Sequence, residues 1–129
     1  MMQFLPLGTR VSVRFLFGLF EHVGLVSGYY ANGEPAIVSI SAAKGFVQEP
    51  LSAFAAGQQW FYKEAPRGLA PEWVVMRALS MAGRPYDLFS WNCEHLVSYA
   101  YGQKAHSPQL AAIVATAIGA VAVTSLLKS

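Results

Sequence analysis

Cysteine is nearly absent from the chain: Cys93 is the only one in 129 residues. A single cysteine excludes an internal disulfide and any multi-cysteine zinc site, and it suits a reducing compartment. Charge is also scarce, at 12% of residues against 54% hydrophobic, roughly half the usual charged share. Part of the surface is therefore expected to face something other than water, and a membrane is the obvious partner. The net charge is only +2, and the nine basic residues form no cluster, so the chain lacks the electrostatic footprint of a nucleic-acid binder. Met1 to Leu7 has no basic stretch followed by a long apolar run and does not read as a secretion signal. No internal repeat or linker precedes the tail, and nothing in the sequence asks for a cofactor or a metal. The length suits one domain with a real core.

What is present reads as strands first and helices after. Val11, Val13 and Phe15 alternate with Ser12 and Arg14, the pattern of a half-buried strand. Gly18 interrupts the apolar run from Phe15 to Phe20, where a strand could bend before resuming as Glu21 to Ser27. In that second strand His22, Gly24 and Val26 share a face. Asn32-Gly33 marks a hairpin, and Ala36 to Ser41 returns as a third strand with Ile37, Ser39 and Ser41 on one side. Lys44 to Val47 adds a short strand, Pro50 to Phe54 a helical turn ending at Gly57, and Gln59 to Lys63 an aromatic strand. Pro71 opens a helix whose stripe is Val75, Ala78, Leu79 and Ala82, closed by Gly83. The fold class expected is α+β, an antiparallel sheet packed on the helix that carries the cysteine.

That helix is announced by Trp91-Asn92-Cys93-Glu94-His95-Leu96-Val97. Asn92 is a preferred N-cap, and Glu94 falls in the first turn, where the helix dipole favours a carboxylate. Cys93 then occupies the first helical position, facing orphan N–H groups that would stabilise a thiolate and lower its pKa. Leu96, Val97 and Ala100 lie at i+3, i+4 and i+7 from it, so the sulfur shares the inward face, and Gly102 supplies the stop. A lone buried cysteine is ordinarily an inert small hydrophobe. A nucleophile would need a base, and the chain offers His22, His95 and His106. His95 is roughly 200° around the helix from Cys93 and cannot easily face it, so it packs elsewhere or meets solvent. His106 reads as solvated. His22, mid-strand among hydrophobes, is the well-placed one if its strand packs on the Cys93 helix.

Asn92-Cys93-Glu94-His95 followed by an apolar pair resembles the signature of the lecithin:retinol acyltransferase family. This family includes the HRAS-like suppressor phospholipase/acyltransferases and is a permuted relative of the NlpC-type peptidases among papain-like thiol enzymes. Tyr86 and Leu88 leading into the motif match as well, and His22-Val23-Gly24-Leu25-Val26-Ser27-Gly28 matches the strand that carries the family's general base. The resemblance thus implies Cys93 as nucleophile and His22 as base. The family's second histidine, which orients the first, has no counterpart here. Ser39 stands at the equivalent position, able to hydrogen-bond an imidazole but carrying no charge.

Leu110 to Leu127 holds no charge across 18 residues. As a helix it would span ~27 Å, close to the thickness of a bilayer core. It divides the chain into a thiol acyltransferase-like domain over 1–107 and a hydrophobic helix over 108–129. In the resembling proteins such a segment anchors the enzyme, which implies a membrane-associated protein with its catalytic domain on the cytoplasmic side. Ala111, Ala115 and Gly119 recur every four residues, a stripe that would let two copies pair as a homo-oligomer. The function implied is a membrane-associated acyltransferase or phospholipase that forms an acyl thioester on Cys93, with a phospholipid or other acyl ester as substrate. The alternatives are an NlpC-type cysteine peptidase or amidase using the same pair, and a catalytically inert membrane or interaction protein that keeps the fold.

Overall fold

The computed structural model describes residues 4–15 and 18–128, with side chains as far as Ile118. Strands β1 (Arg10–Phe15), β2 (Phe20–Tyr29), β3 (Pro35–Ser41) and β4 (Gly45–Pro50) are followed by a short helix, α1 (Leu51–Ala55), and strand β5 (Trp60–Lys63). Helices α2 (Pro71–Leu79), α3 (Cys93–Ala100) and α4 (Pro108–Lys128) complete the chain. The strands form one antiparallel sheet in the order β4-β3-β2-β1-β5. The α+β class and each strand and helix read from the pattern are present. Leu16 and Phe17, in the interrupted run before Gly18, lie outside the described residues.

Side-chain alternation sorts the core onto the two sheet faces. Val11, Val13, Val26 and Ile37 pack with Leu5, Leu51 and Phe54 on the face covered by α1. Val23, Leu25, Val38 and Ile40 pack with Val74 of α2 and with Leu96, Val97 and Ala100 of α3 on the other. The α3 residues are those the helical spacing predicts. In α2 the buried stripe is Val74 and Ala78 with Met81 packed beside them, while Leu79 and Ala82 are exposed. The helix is thus rotated from the expected stripe, because Val74 closes against Gly8, where a Cβ would stand 3.3 Å from it. Phe15 departs too: at the end of β1 it leaves the core and stacks on Phe20 at 5.8 Å.

The sheet has one discontinuity that positions everything else. β2 pairs with β1 from Phe20 to Leu25, but its ladder with β3 begins only at Leu25. Its edge from Phe20 to Gly24 is therefore left for other parts of the chain, since buried N–H and C=O groups must find partners. The starts of α3 and α4 supply them.

Helix α4 runs from Pro108 to Lys128, as the uncharged tail predicts. Among the described residues no helix is long and apolar enough to cross a membrane. The bilayer-spanning expectation therefore finds no support there, and the side chains from Gly119 onward lie outside the description. Of the small-residue stripe, Ala111 and Ala115 are exposed, and Gly119 falls outside the described side chains.

Candidate active site

Asn92 fixes where α3 begins. Its backbone is extended, and its Oδ1 accepts the N–H groups of Glu94 at 3.0 Å and His95 at 3.2 Å, which places Cys93 at the first helical position. His95 completes a capping box: its Nδ1 accepts the Asn92 N–H at 2.9 Å, the role usually taken by Glu or Gln three residues after the cap. It is buried, so of the two expectations it does not meet solvent. Gly102, at φ 76°, ends the helix as expected.

Along a strand, the N–H groups of alternate residues point the same way. On the edge that β3 leaves free, Glu21 and Val23 present theirs. The Gln109 side chain takes the first position like a strand residue, accepting the Glu21 N–H at 2.8 Å and donating to the Glu21 carbonyl at 2.9 Å. The Cys93 sulfur takes the second, with the Val23 N–H directed at it. Cys93 thus sits against the strand one residue from His22.

Glu94 ties the two helix starts together. Its Oε1 accepts the Ser107 hydroxyl at 2.6 Å and the Gln109 N–H at 2.9 Å, and Ser107 Oγ accepts the Leu110 N–H at 3.2 Å. The Glu94 carboxylate thus also meets the N-terminus of α4, where the helix dipole favours a negative charge. Glu94, Ser107 and Gln109 form a latch that the sequence reading missed. Ser107-Pro108 is an N-cap and first-position signature and could have located the start of α4. Nothing local marks Gln109, whose partner Glu21 lies 88 residues away.

The latch holds α4 over a groove of about 310 Å³, on whose lining Cys93 lies. Phe15 and Phe20, Tyr86 and Leu88, and Leu110 and Ile113 form its walls. A second cavity of about 310 Å³, lined by Arg10, Lys63, Glu64 and His106 among others, is more polar and does not include Cys93.

The electrostatics differ from the helix-terminus expectation. Burial pushes the Cys93 thiol above its ordinary value and the Glu94 charge adds to this, while the N–H groups of Val23, Glu94 and Cys93 itself oppose it. Desolvation of the thiolate outweighs the helix end. Burial also lowers the pKa of His22, with Glu49 opposing and Lys44 reinforcing. The His22 ring stacks on Phe54 at 4.9 Å, on the sheet face covered by α1. Ser39 shares that face through strand alternation and is fully buried, its Oγ without a hydrogen-bond partner among the described residues. The Cys93 sulfur meets β2 at the Val23 backbone and packs with the core on the α3 side, whereas the His22 imidazole lies on the α1 side; among the described residues no hydrogen bond joins sulfur to imidazole, and none runs from Ser39 to the imidazole. His106 is exposed, with Nδ1 2.8 Å from the Lys104 carbonyl. Among the described residues no group of His, Cys, Asp and Glu could hold a metal ion.

Compared with known proteins, the chain matches the family model described as lecithin retinol acyltransferase over residues 21–105. Among curated proteins, none matches it in sequence.

Proposed function

The chain belongs to the lecithin retinol acyltransferase family, whose activities are of the acyltransferase and phospholipase type, and from that premise we propose that it transfers or hydrolyses the acyl group of a lipid ester through Cys93. The observation that carries this reading is the placement of the only thiol on an almost wholly apolar groove at a helix N-terminus. Such a groove suits an acyl chain and offers a peptide backbone few polar partners, which favours an ester over the peptidase alternative.

The thiolate is the nucleophile, and burial keeps Cys93 protonated near neutral pH, so a base must remove the proton as attack occurs. His22 is that base. Its depressed pKa leaves the imidazole neutral and able to accept a proton at pH 7. Sulfur attacks the ester carbonyl, the alcohol leaves with a proton from His22, and the acyl group remains on Cys93 as a thioester. Water as the second nucleophile regenerates the thiol with release of a fatty acid; an alcohol or amine completes a transfer. The backbone N–H of Cys93, at the start of α3, can donate to the developing oxyanion. The domain meets its substrate at a lipid surface.

Intact-mass analysis after incubation with phosphatidylcholine tests the proposal. An adduct of one acyl group on the native chain is expected, with none on Cys93→Ala and no turnover by that variant. Turnover that survives Cys93→Ala would overturn it.

A further inference from the structure

The walls of the Cys93 groove are themselves exposed. Phe15 is 47%, Leu88 48% and Ile113 45% accessible, although each lines the groove, and they come from three separate elements: the end of β1, the loop before α3 and the first turns of α4. Beside them in sequence, the two most prominent apolar side chains of this region point into solvent, Leu19 at 76% on the β1–β2 turn and Phe89 at 70% in the α3 approach. Asp87 Oδ1 already secures the loop by accepting the Phe89 and Ser90 N–H groups at 2.9 and 3.0 Å.

We propose that Leu19, just ahead of β2, and Phe89, in the α3 approach loop, form a rim that inserts into a lipid bilayer and presents the groove mouth to it. This rests on the acyl-ester reading of the groove but assigns a contact distinct from α4. Three observations select a lipid surface over a protein. The rim is continuous with an apolar groove, so an acyl chain can pass from bilayer to Cys93 without crossing water. Leu19 and Phe89 lie outside the regular elements, each next in sequence to a lining residue, Phe20 and Leu88, and both side chains face solvent, where they can enter among headgroups. Helix α4 leaves from the same rim, with all of residues 111–118 exposed and uncharged, so the same layer covers both.

The full-length protein is titrated with vesicles of phosphatidylcholine containing phosphatidylglycerol, and bound protein is separated by flotation. Leu19 and Phe89 line neither groove nor core, so Leu19→Glu and Phe89→Glu should keep the parent's thermal melt and rate of Cys93 alkylation. Each should bind vesicles about tenfold more weakly, since an apolar side chain moved from water into lipid contributes roughly that much. In Phe89→Trp, lipids brominated near the glycerol end of the chain should quench fluorescence beyond the parent's. Unchanged partition in both acidic variants, or no added quenching, would show that α4 alone holds the vesicle and overturn the proposal. A dimer in sedimentation that Leu19→Glu dissolves would overturn it in favour of self-association. If the acidic variants lose partition and the parent shows no ester turnover, the docking surface stands and the acyl-transfer reading falls.

Discussion

At Cys93 and His22 the same physical effect acts in opposite chemical directions. Burial disfavours a charge on either, so it raises the thiol and lowers the imidazole, and the resting pair is neutral. Alkylation of Cys93 by iodoacetamide is therefore expected to rise with pH to a midpoint above the ordinary thiol range; a midpoint below it would mean that a cation reaches the sulfur. Ester turnover should instead fall only on the acid side, as His22 is protonated below its ordinary value of about 6.5. The stability linkage has its own sign. The unfolded chain binds a proton at His22 that the folded chain resists, so this contribution is complete above the unfolded pKa and is lost as pH falls through the depressed folded one. Urea midpoints should thus decline below about pH 6.5, less so in His22→Phe. Ser39 is the simplest case: removing an unpartnered buried hydroxyl in Ser39→Ala should leave the melting temperature unchanged or add about 1 kcal/mol. A clear loss would show that the hydroxyl finds a partner, with the imidazole a candidate on the same sheet face.

Among the elements, β2 is the one that the others must accommodate, and Gly24 shows how tightly. A Cβ there would stand 2.7 Å from Ile37 Cγ2 and 2.8 Å from the Val38 carbonyl oxygen, and the latter is backbone. Gly24→Ala should therefore cost about 1–3 kcal/mol, read as a lower urea midpoint at unchanged slope. Much of this architecture was legible because its cause is local. Alternation placed His22, Gly24 and Val26 on one face, and Asn92 with Gly102 bounded α3. What escaped the sequence depends on contacts between distant segments. The rotation of α2 onto Val74 is set by Gly8, and Phe15 leaves the core because the groove, not the strand pattern, receives it. The raised thiol pKa follows from how much of the chain closes over Cys93, which no reading of a helix terminus contains. The Glu94 latch is of the same kind, since its acceptor is in the motif but two of its donors lie beyond α3.

For the molecule as a whole, composition separates a domain ending near residue 107 from an uncharged helix, yet tertiary hydrogen bonds at the site cross that line. Gln109 binds Glu94 and completes the edge of β2 at Glu21, and Ser107, the last residue before the line, holds both Glu94 and the Leu110 N–H. Two truncations separate what the tail does at its start from what it does further on. Ending the chain after Ile118 keeps the latch and the groove walls Leu110 and Ile113; stability should change by no more than about 0.5 kcal/mol, Cys93 alkylation should be unaltered, and vesicle binding should weaken. Ending it after Pro108 removes Gln109 and both wall residues, at about 1 kcal/mol for each hydrogen bond lost and more for the one to the Glu94 carboxylate. That shorter chain should melt earlier. Its thiol should also alkylate faster at neutral pH, because taking away the cover relieves the desolvation that raises the pKa. If the two truncations instead label at the same rate, α4 does not shield the sulfur, and the groove at Cys93 is closed by the sheet and α3 alone.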